Sequence, residues 1–259
     1  MPFDSKLTKE VRLSFRDQLR EARFKAQKDA EDFEEIVFVL ERIGSFLLGS
    51  IAGLGRYARS IVAVTCDSAL SSDVPDAWRD LHTPFAKLYD LVRQARNDAM
   101  HEGAAARHAT THAIELSLVL ENALMNGYDK VGDFMVRNPV CAEMWQPLSF
   151  IRQTMLVNSF SWLPVKTRGD FRSAWQLVSD NQVAQYLRLR SNGVPSRDLL
   201  VQQLEEAMKL DGIKLIQARM CRATDAVKTL LGGWDGQPVL VTREKADELL
   251  GILTPHDLL

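Results

Sequence analysis

Cysteine is scarce, with only Cys66, Cys141 and Cys221 in 259 residues. Their odd number and wide spacing argue against a disulfide framework or a zinc site and fit a reducing compartment. A dominant charge is also missing. Thirty-two Lys and Arg face 34 Asp and Glu, for a net charge of −2. No global basic field would hold nucleic acid, so any RNA contact must come from a local patch, such as one built by two subunits. Long hydrophobic runs are absent too. Stretches such as Ile61 to Val64 are far too short to cross a bilayer. The opening M-P-F-D-S-K-L-T-K-E lacks the apolar centre of a signal peptide. A cytoplasmic protein without membrane association is the expectation. No glycine-rich phosphate loop, dinucleotide fingerprint or nucleophile elbow occurs. What is present, 46% apolar and 25% charged residues, is ordinary for a globular protein, and the length suits one large domain or two medium ones.

The first 130 residues read as helical. Ile36, Val37, Leu40, Ile43, Leu47 and Leu48 recur at three- and four-residue steps among Glu35, Val39, Arg42 and Phe46. Gly49, Gly53 and Gly55 mark a break or close crossing. A second apolar period runs from Leu54 through Tyr57, Ile61, Val64 and Ala69. Ser71-Ser72-Asp73 with Pro75 reads as a loop. Thr83 and Pro84 read as N-cap and first turn of a helix carrying Phe85, Leu88, Leu91, Val92 and Ala95. After Gly103 a further helix reaches Leu124 and ends near Asn126-Gly127. This predicts an all-α unit of four or five helices over residues 1–130.

The texture changes near 130. Short β-branched and aromatic runs are bounded by turn residues. They are Phe160–Val165, Trp175–Val178, Val183–Leu187, Ile213–Ile216, Pro238–Val241 and Leu250–Leu253. Helical patterns lie between them at 147–156, 196–209 and 223–231. The result is an α/β or α+β unit over 131–259. It also repeats at low identity. In both copies (about 131–190 and 198–259) a helix is followed by a Pro-Val strand, a turn and a strand.

Chemistry concentrates at R-N-D-A-M-H, residues 96–101. On a helix Asn97 and His101 share a face, and Arg96 lies next to Asn97 about 100° around the axis. His exchanges protons near neutral pH, and Arg neutralises charge developing on a phosphorane-like transition state. Asn97 would orient either group or bond the phosphate. Taken alone, an Arg and a His five residues apart are more often plain surface residues. Other groups carry less. Glu31, Asp32, Glu34 and Glu35 could add a site residue but read first as a solvated helix face. His108 and His112 stand four apart, a zinc-compatible spacing with no third ligand. His82 is uninformative.

The Arg96–His101 run, preceded and followed by amphipathic helices, resembles the R-x4–6-H motif of the HEPN superfamily over roughly residues 5–128. The resemblance implies a dimerising helical bundle with two motifs in a shared cleft. It implies metal-independent endoribonuclease activity of toxin or phage-defence type, needing no catalytic cofactor and leaving a 2′,3′-cyclic phosphate. Arg96 and His101 match the catalytic pair, and Asn97 the supporting polar position.

G-I-L-T-P-H-D at 251–257 resembles the closing strand and helix start of a CBS motif, and V-G-D-F-M-V-R-N-P-V at 131–140 its usual opening. With the two Pro-Val strands, residues 131–259 resemble a tandem CBS module, which implies an adenine-nucleotide ligand (AMP, ATP or a related adenosyl compound) between the repeats. Thr254 would offer a hydroxyl to phosphate and Asp257 would accept from ribose hydroxyls. Plain N-capping by Thr254, Pro255 and Asp257 is compatible with both roles. Ile213–Ala218 matches the adenine-flanking strand. The first repeat departs from the pattern, since Gln-Tyr-Leu-Arg follows Val183-Ala184 with no Gly-x-x-Thr-x-x-Asp. That tells against a nucleotide site there. Arg188, Arg190, Arg197 and Asp198 lie in an insertion or linker whose commoner reading is a solvated loop.

The sequence thus leads to a multidomain chain, an all-α HEPN-like bundle followed by an α/β CBS pair. The expected protein is a homodimeric endoribonuclease regulated by adenine-nucleotide binding, with RNA as substrate and no metal. The alternative is a non-enzymatic nucleotide sensor whose helices only dimerise or dock a partner.

Overall fold

A computed structural model describes residues 6–102, 106–167, 174–189, 196–209, 212–243 and 248–259. The chain divides into two compact units, Met1–Tyr128 and Asp129–Leu259.

The first unit is helical: α1 (Lys9–Lys28), α2 (Phe33–Leu48), α3 (Leu54–Val64), a short α4 (Asp73–Ala77), α5 (Phe85–Glu102) and α6 (Ala106–Met125). The apolar stripe of α2 buries Ile36, Val37, Leu40, Ile43 and Leu47. Val39 is buried as well, although the periodicity set it on the other face. The reason is that α2 packs against α1, α3, α5 and α6 together, so its covered arc is wider than one stripe. Gly49 ends α2 with φ of 76°, a left-handed conformation that favours glycine. Gly44 has a different task. A Cβ there would come within 2.2 Å of the Tyr57 ring, so its lack of a side chain lets α3 close on α2. A buried ion-pair cluster joins α1 to α6. Arg23 donates through Nε and Nη2 to the two Glu121 oxygens at 2.9 and 3.1 Å, and Ser117 donates to Oε1 at 3.0 Å.

The second unit runs α7 (Val131–Phe134), β1 (Val136–Arg137), β2 (Ala142–Glu143), α8 (Leu148–Asn158), β3 (Trp162–Lys166), β4 (Trp175–Ser179), α9 (Asp180–Leu189), α10 (Ser196–Val201), α11 (Leu204–Ala207), β5 (Arg219–Cys221), α12 (Val227–Leu231), β6 (Val239–Thr242) and β7 (Leu249–Leu253), with a closing 3₁₀ turn at Pro255–Leu258. It forms two sheets, of strand order β2-β3-β4 and β1-β7-β6-β5. In each, a parallel pair (β2 with β3, β5 with β6) is followed by an antiparallel one (β3 with β4, β6 with β7). The helix, strand, turn, strand repeat is therefore present in three dimensions, but its two Pro-Val pairs do not coincide: Pro164 lies inside β3 opposite Leu177, whereas Pro238 precedes β6 and Leu240 holds the place of Pro164 opposite Ile252.

The repeats exchange their leading segments. β1, from the first repeat, pairs with β7 of the second, with Val136 opposite Ile252. Ile216, leading into the second, exchanges both backbone bonds with Leu177 of β4 at 2.9 Å. The short helices swap likewise. Val131 N donates to Asp225 O at 2.9 Å and Gly132 N to Ala223 O at 2.8 Å, while Leu204 N donates to Gln146 O at 3.0 Å and Glu205 N to Met144 O at 2.9 Å. Between the sheets lies an apolar layer of Trp175, Leu177, Ala218, Leu240 and Ile252.

Further expectations are corrected. Asp73 and Pro75 lie in the short helix α4 and not in a loop, so the first unit has six α-helices among the described residues where four or five were expected. Val183–Leu187 is not a strand but part of α9. Its buried residues, Val183 and Tyr186, are three apart, a helical step that a short apolar run imitates. Ile213–Ile216 is not a strand either, being an extended segment with a single bridge at Ile216.

Candidate functional sites

In the helical unit, α5 carries the whole Arg96–His101 run through Glu102. Arg96 is partly buried and Asn97 exposed. The Arg96 guanidinium donates from Nη2 to Glu41 Oε1 on α2 at 3.0 Å. Both side chains are about one-third exposed, at 36% and 29%, so solvent reaches the pair. His101 lies in the last turn of α5, and its side chain lies outside the described ones, as do residues 103–105. Glu41 went unread in the sequence, because no local spacing ties it to a residue on another helix. In the acidic cluster at the start of α2, the Glu31 side chain lies outside the described ones and Asp32 is exposed. Glu34 is exposed and Glu35 pairs with Lys25 at 3.5 Å. One turn N-terminal to Arg93, Tyr89 is buried and donates to Leu54 O at 2.8 Å. Burial raises its phenol well above the ordinary range, which keeps it a neutral donor. His108 is exposed and His112 half-buried. Among the described residues no group of His, Cys, Asp and Glu could hold a metal ion.

In the second unit, β7 ends at Leu253 and the chain turns at Thr254 into Pro255–Leu258, with Pro at the first position. The Thr254 backbone N–H and its Oγ1 both donate to Asp257 Oδ2, at 2.7 and 2.8 Å. Asp257 is buried at 9% exposure. The structure thus brings together the two residues singled out here and holds them at a strand end. Two residues before Leu253, Gly251 is packed against the crossing strand. A Cβ there would lie 2.8 Å from both Met135 Sδ and Val136 O, so only glycine lets β1 seat beside β7.

The same clasp recurs in the first repeat, where the sequence reading missed it. β4 ends at Ser179, and Gln182 Oε1 accepts from Ser179 N at 2.9 Å and from Ser179 Oγ at 3.2 Å. Gln176, Ser179 and Gln182 therefore stand where the second repeat has Gly251, Thr254 and Asp257. The missed signal is S-x-x-Q, a capping-box pattern that places a helix start at Asp180.

No protein-family model and no curated protein matches this sequence. Among solved structures, CBS-domain pairs match about half of the chain. An acetoin utilization protein (AcuB) from Vibrio cholerae is 17% identical over 50% of this chain and 86% of its own, with a TM-score of 0.37. CBSX2 in complex with AMP is 17% identical over 51% of this chain and 93% of its own, also with a TM-score of 0.37. The CBS domain pair of protein MJ0100, in complex with 5′-methylthioadenosine and S-adenosyl-L-methionine, is 14% identical over 50% and 95%, with a TM-score of 0.36. No helix among the described residues is long and apolar enough to cross a membrane.

Proposed function

We propose that residues 129–259 form an adenine-nucleotide sensor with its site at Thr254 and Asp257. The observation that carries this reading is the buried carboxylate of Asp257, clasped by the Thr254 amide and hydroxyl at the end of β7. A carboxylate offers acceptor positions on both oxygens, which suits the two adjacent hydroxyls of a ribose. Hydrogen bonds to an ionised acceptor are the stronger kind. The Thr254 hydroxyl sets the carboxylate's orientation. Titration calorimetry and thermal unfolding with AMP, ATP and S-adenosylmethionine test the reading. A ligand present at a hundredfold its Kd should stabilise the protein by about 2.7 kcal/mol, and Asp257→Ala should remove the effect. Silence for all three compounds in the wild type rejects it.

A second reading concerns the helical unit, as a metal-independent endoribonuclease. It is favoured by the placement of Arg96 and Asn97 at solvent on the same unbroken helix as His101. In this reading His101 takes the proton of a ribose 2′-hydroxyl, the 2′-oxygen attacks the adjacent phosphorus, and Arg96 neutralises charge on the phosphorane; the P–O5′ bond then breaks, the 5′-oxygen leaves as a hydroxyl with a proton from water, and a 2′,3′-cyclic phosphate remains. A phosphate would compete with Glu41 for the Arg96 guanidinium. Nucleotide binding in the second unit would then govern cleavage, provided that the ligand prefers one arrangement of a dimer. Cleavage of RNA in EDTA that falls about a hundredfold or more in Arg96→Ala and His101→Ala supports it. Equal cleavage by folded wild type and variants rejects it and leaves the sensor alone.

A further inference from the structure

The inner side of α8 buries Leu148, Ile151 and Met155, and its outer side is apolar as well. Phe150, Leu156 and Val157 are exposed on it, and Phe160 is exposed just beyond its C-cap at Ser159. Val201 is exposed beside the start of α8, where Leu148 N donates to Gln202 O at 2.9 Å. Charge is missing from this side. Between Glu143 and Lys166, Arg152 is the single charged residue, in a chain that is 25% charged. A helix that merely faces water carries charged and polar residues there. Two neighbours follow that rule: α9 exposes Asp180, Gln185 and Arg188, and α12, which takes the place of α8 in the second repeat, exposes Lys228 and Thr229 beside Leu231. The apolar face therefore belongs to α8 and not to the repeat as such.

Gln153, exposed like its neighbours, sits at the centre of this outer arc. At about 100° per residue, Phe150 and Val157 fall within about 60° of it on one flank and Ser149 and Leu156 on the other, while Arg152 stands about 100° away, at the rim. Such a face fits its own copy. A two-fold axis across α8 at Gln153 sets Phe150 of each copy against Val157 of the other, Leu156 against Ser149, and the two Gln153 side chains together. An amide both donates and accepts, so it pairs with itself. The area agrees. Taking about 200 Å² for a whole large apolar residue, the exposed fractions of Phe150, Leu156, Val157, Phe160 and Val201 leave on the order of 500 Å². A stable interface covers about 800 Å² on each partner, roughly two-thirds of it apolar in a homodimer.

We propose that the outer face of α8 seats the same face of a second copy of this chain, as a two-fold dimer built by the first repeat. Apolar and aromatic residues without charge form the core of such interfaces, and polar residues take the solvated rim. A charged partner would find only Arg152 to answer it, whereas a second copy brings an equally neutral surface. The contact is separate from the helical unit and depends on neither function proposed above.

Sedimentation equilibrium of the full chain at micromolar concentration tests this. The wild type should associate, and Val157→Glu should weaken that association by about a hundredfold or more, since it buries an unpaired carboxylate. The mass then falls by half, from dimer to monomer, or from tetramer to dimer if the helical unit pairs as well. Circular dichroism and thermal unfolding confirm that the variant is folded. Crosslinking supplies a second measurement that needs no disruption of the face. Helices packed about 10 Å apart place facing Cα atoms about 5 Å from each other, within disulfide range. In a Cys66→Ser background, Gln153→Cys should form an intermolecular disulfide with diamide as oxidant, and Lys228→Cys on α12 should not. A monomeric wild type overturns the proposal. So does an assembly whose mass a folded Val157→Glu leaves unchanged, and so does a Gln153→Cys that crosslinks no better than Lys228→Cys.

Discussion

Arg96 on α5 and Glu41 on α2 are joined by a hydrogen-bonded ion pair of 3.0 Å at the edge of the helical unit. The pair holds the guanidinium of the most chemically distinctive segment in place without burying it. Water around a one-third-exposed pair screens the attraction, so its worth is small. A double-mutant cycle of Glu41→Gln and Arg96→Gln in urea unfolding should give a coupling of at most about 1 kcal/mol, shrinking with added salt. A coupling well above that, insensitive to salt, would show a pair shielded from water.

Glu121 presents the opposite case. It is 6% exposed and receives Arg23 through two bonds and Ser117 through a third. Removing it leaves Arg23, only 15% exposed, without its main partner. Glu121→Ala should cost about 3 kcal/mol, read from denaturant midpoints with an unchanged slope. A loss below about 1 kcal/mol would mean that water replaces the carboxylate freely.

Gly44→Ala would thrust a methyl group into the Tyr57 ring, 2.2 Å from its nearest atom. Helix propensity alone favours alanine by about 1 kcal/mol. Overpacking at a helix crossing outweighs it and should destabilise by roughly 1–3 kcal/mol net. Gly55→Ala is the control, because nothing lies within 4 Å of its Cβ position. That change should be neutral or stabilising, and similar behaviour of the two variants in thermal unfolding would contradict the close α2–α3 contact.

The three thiols should differ in reactivity. Burial, with Glu143 beside Cys141 and Asp225 beside Cys221, pushes both thiols from 9 up to about 11. Cys66 is exposed. At pH 8 iodoacetamide should modify Cys66 well before the other two, as followed by peptide mass spectrometry. The linkage has a definite sign. A raised thiol pKa means that the folded state holds its proton longer than the unfolded one. The associated stability is full below pH 9 and is lost as pH rises through about 11. Replacing both residues by alanine should flatten that part of the stability profile.

Much of this architecture was legible in the chain. The apolar period of α2 and the break at Gly49 identified helices from neighbours three and four residues apart. The Pro-Val strands and the T-P-H-D turn were recognisable because strand alternation and capping are local. Errors arose where local pattern is ambiguous. Val183 to Leu187 satisfies a short strand as well as one helical turn, and only the Ser179–Gln182 capping box decides between them.

Residue periodicity by itself determined the long helices such as α2 and the strands at Pro238–Val241 and Leu250–Leu253, and capping chemistry marked a helix start at Thr254. These are matters of backbone geometry between near neighbours. Tertiary structure alone decided that β1 leaves its own repeat to pair with β7, that Glu41 faces Arg96, that Glu121 collects partners from α1, and that Gln182 reaches Lys214. Each joins residues far apart in the chain, 98 positions for Arg23 and Glu121. Such a contact forms only when packing of the intervening elements offsets the entropy of closing the loop between them, and no short stretch of residues records that balance.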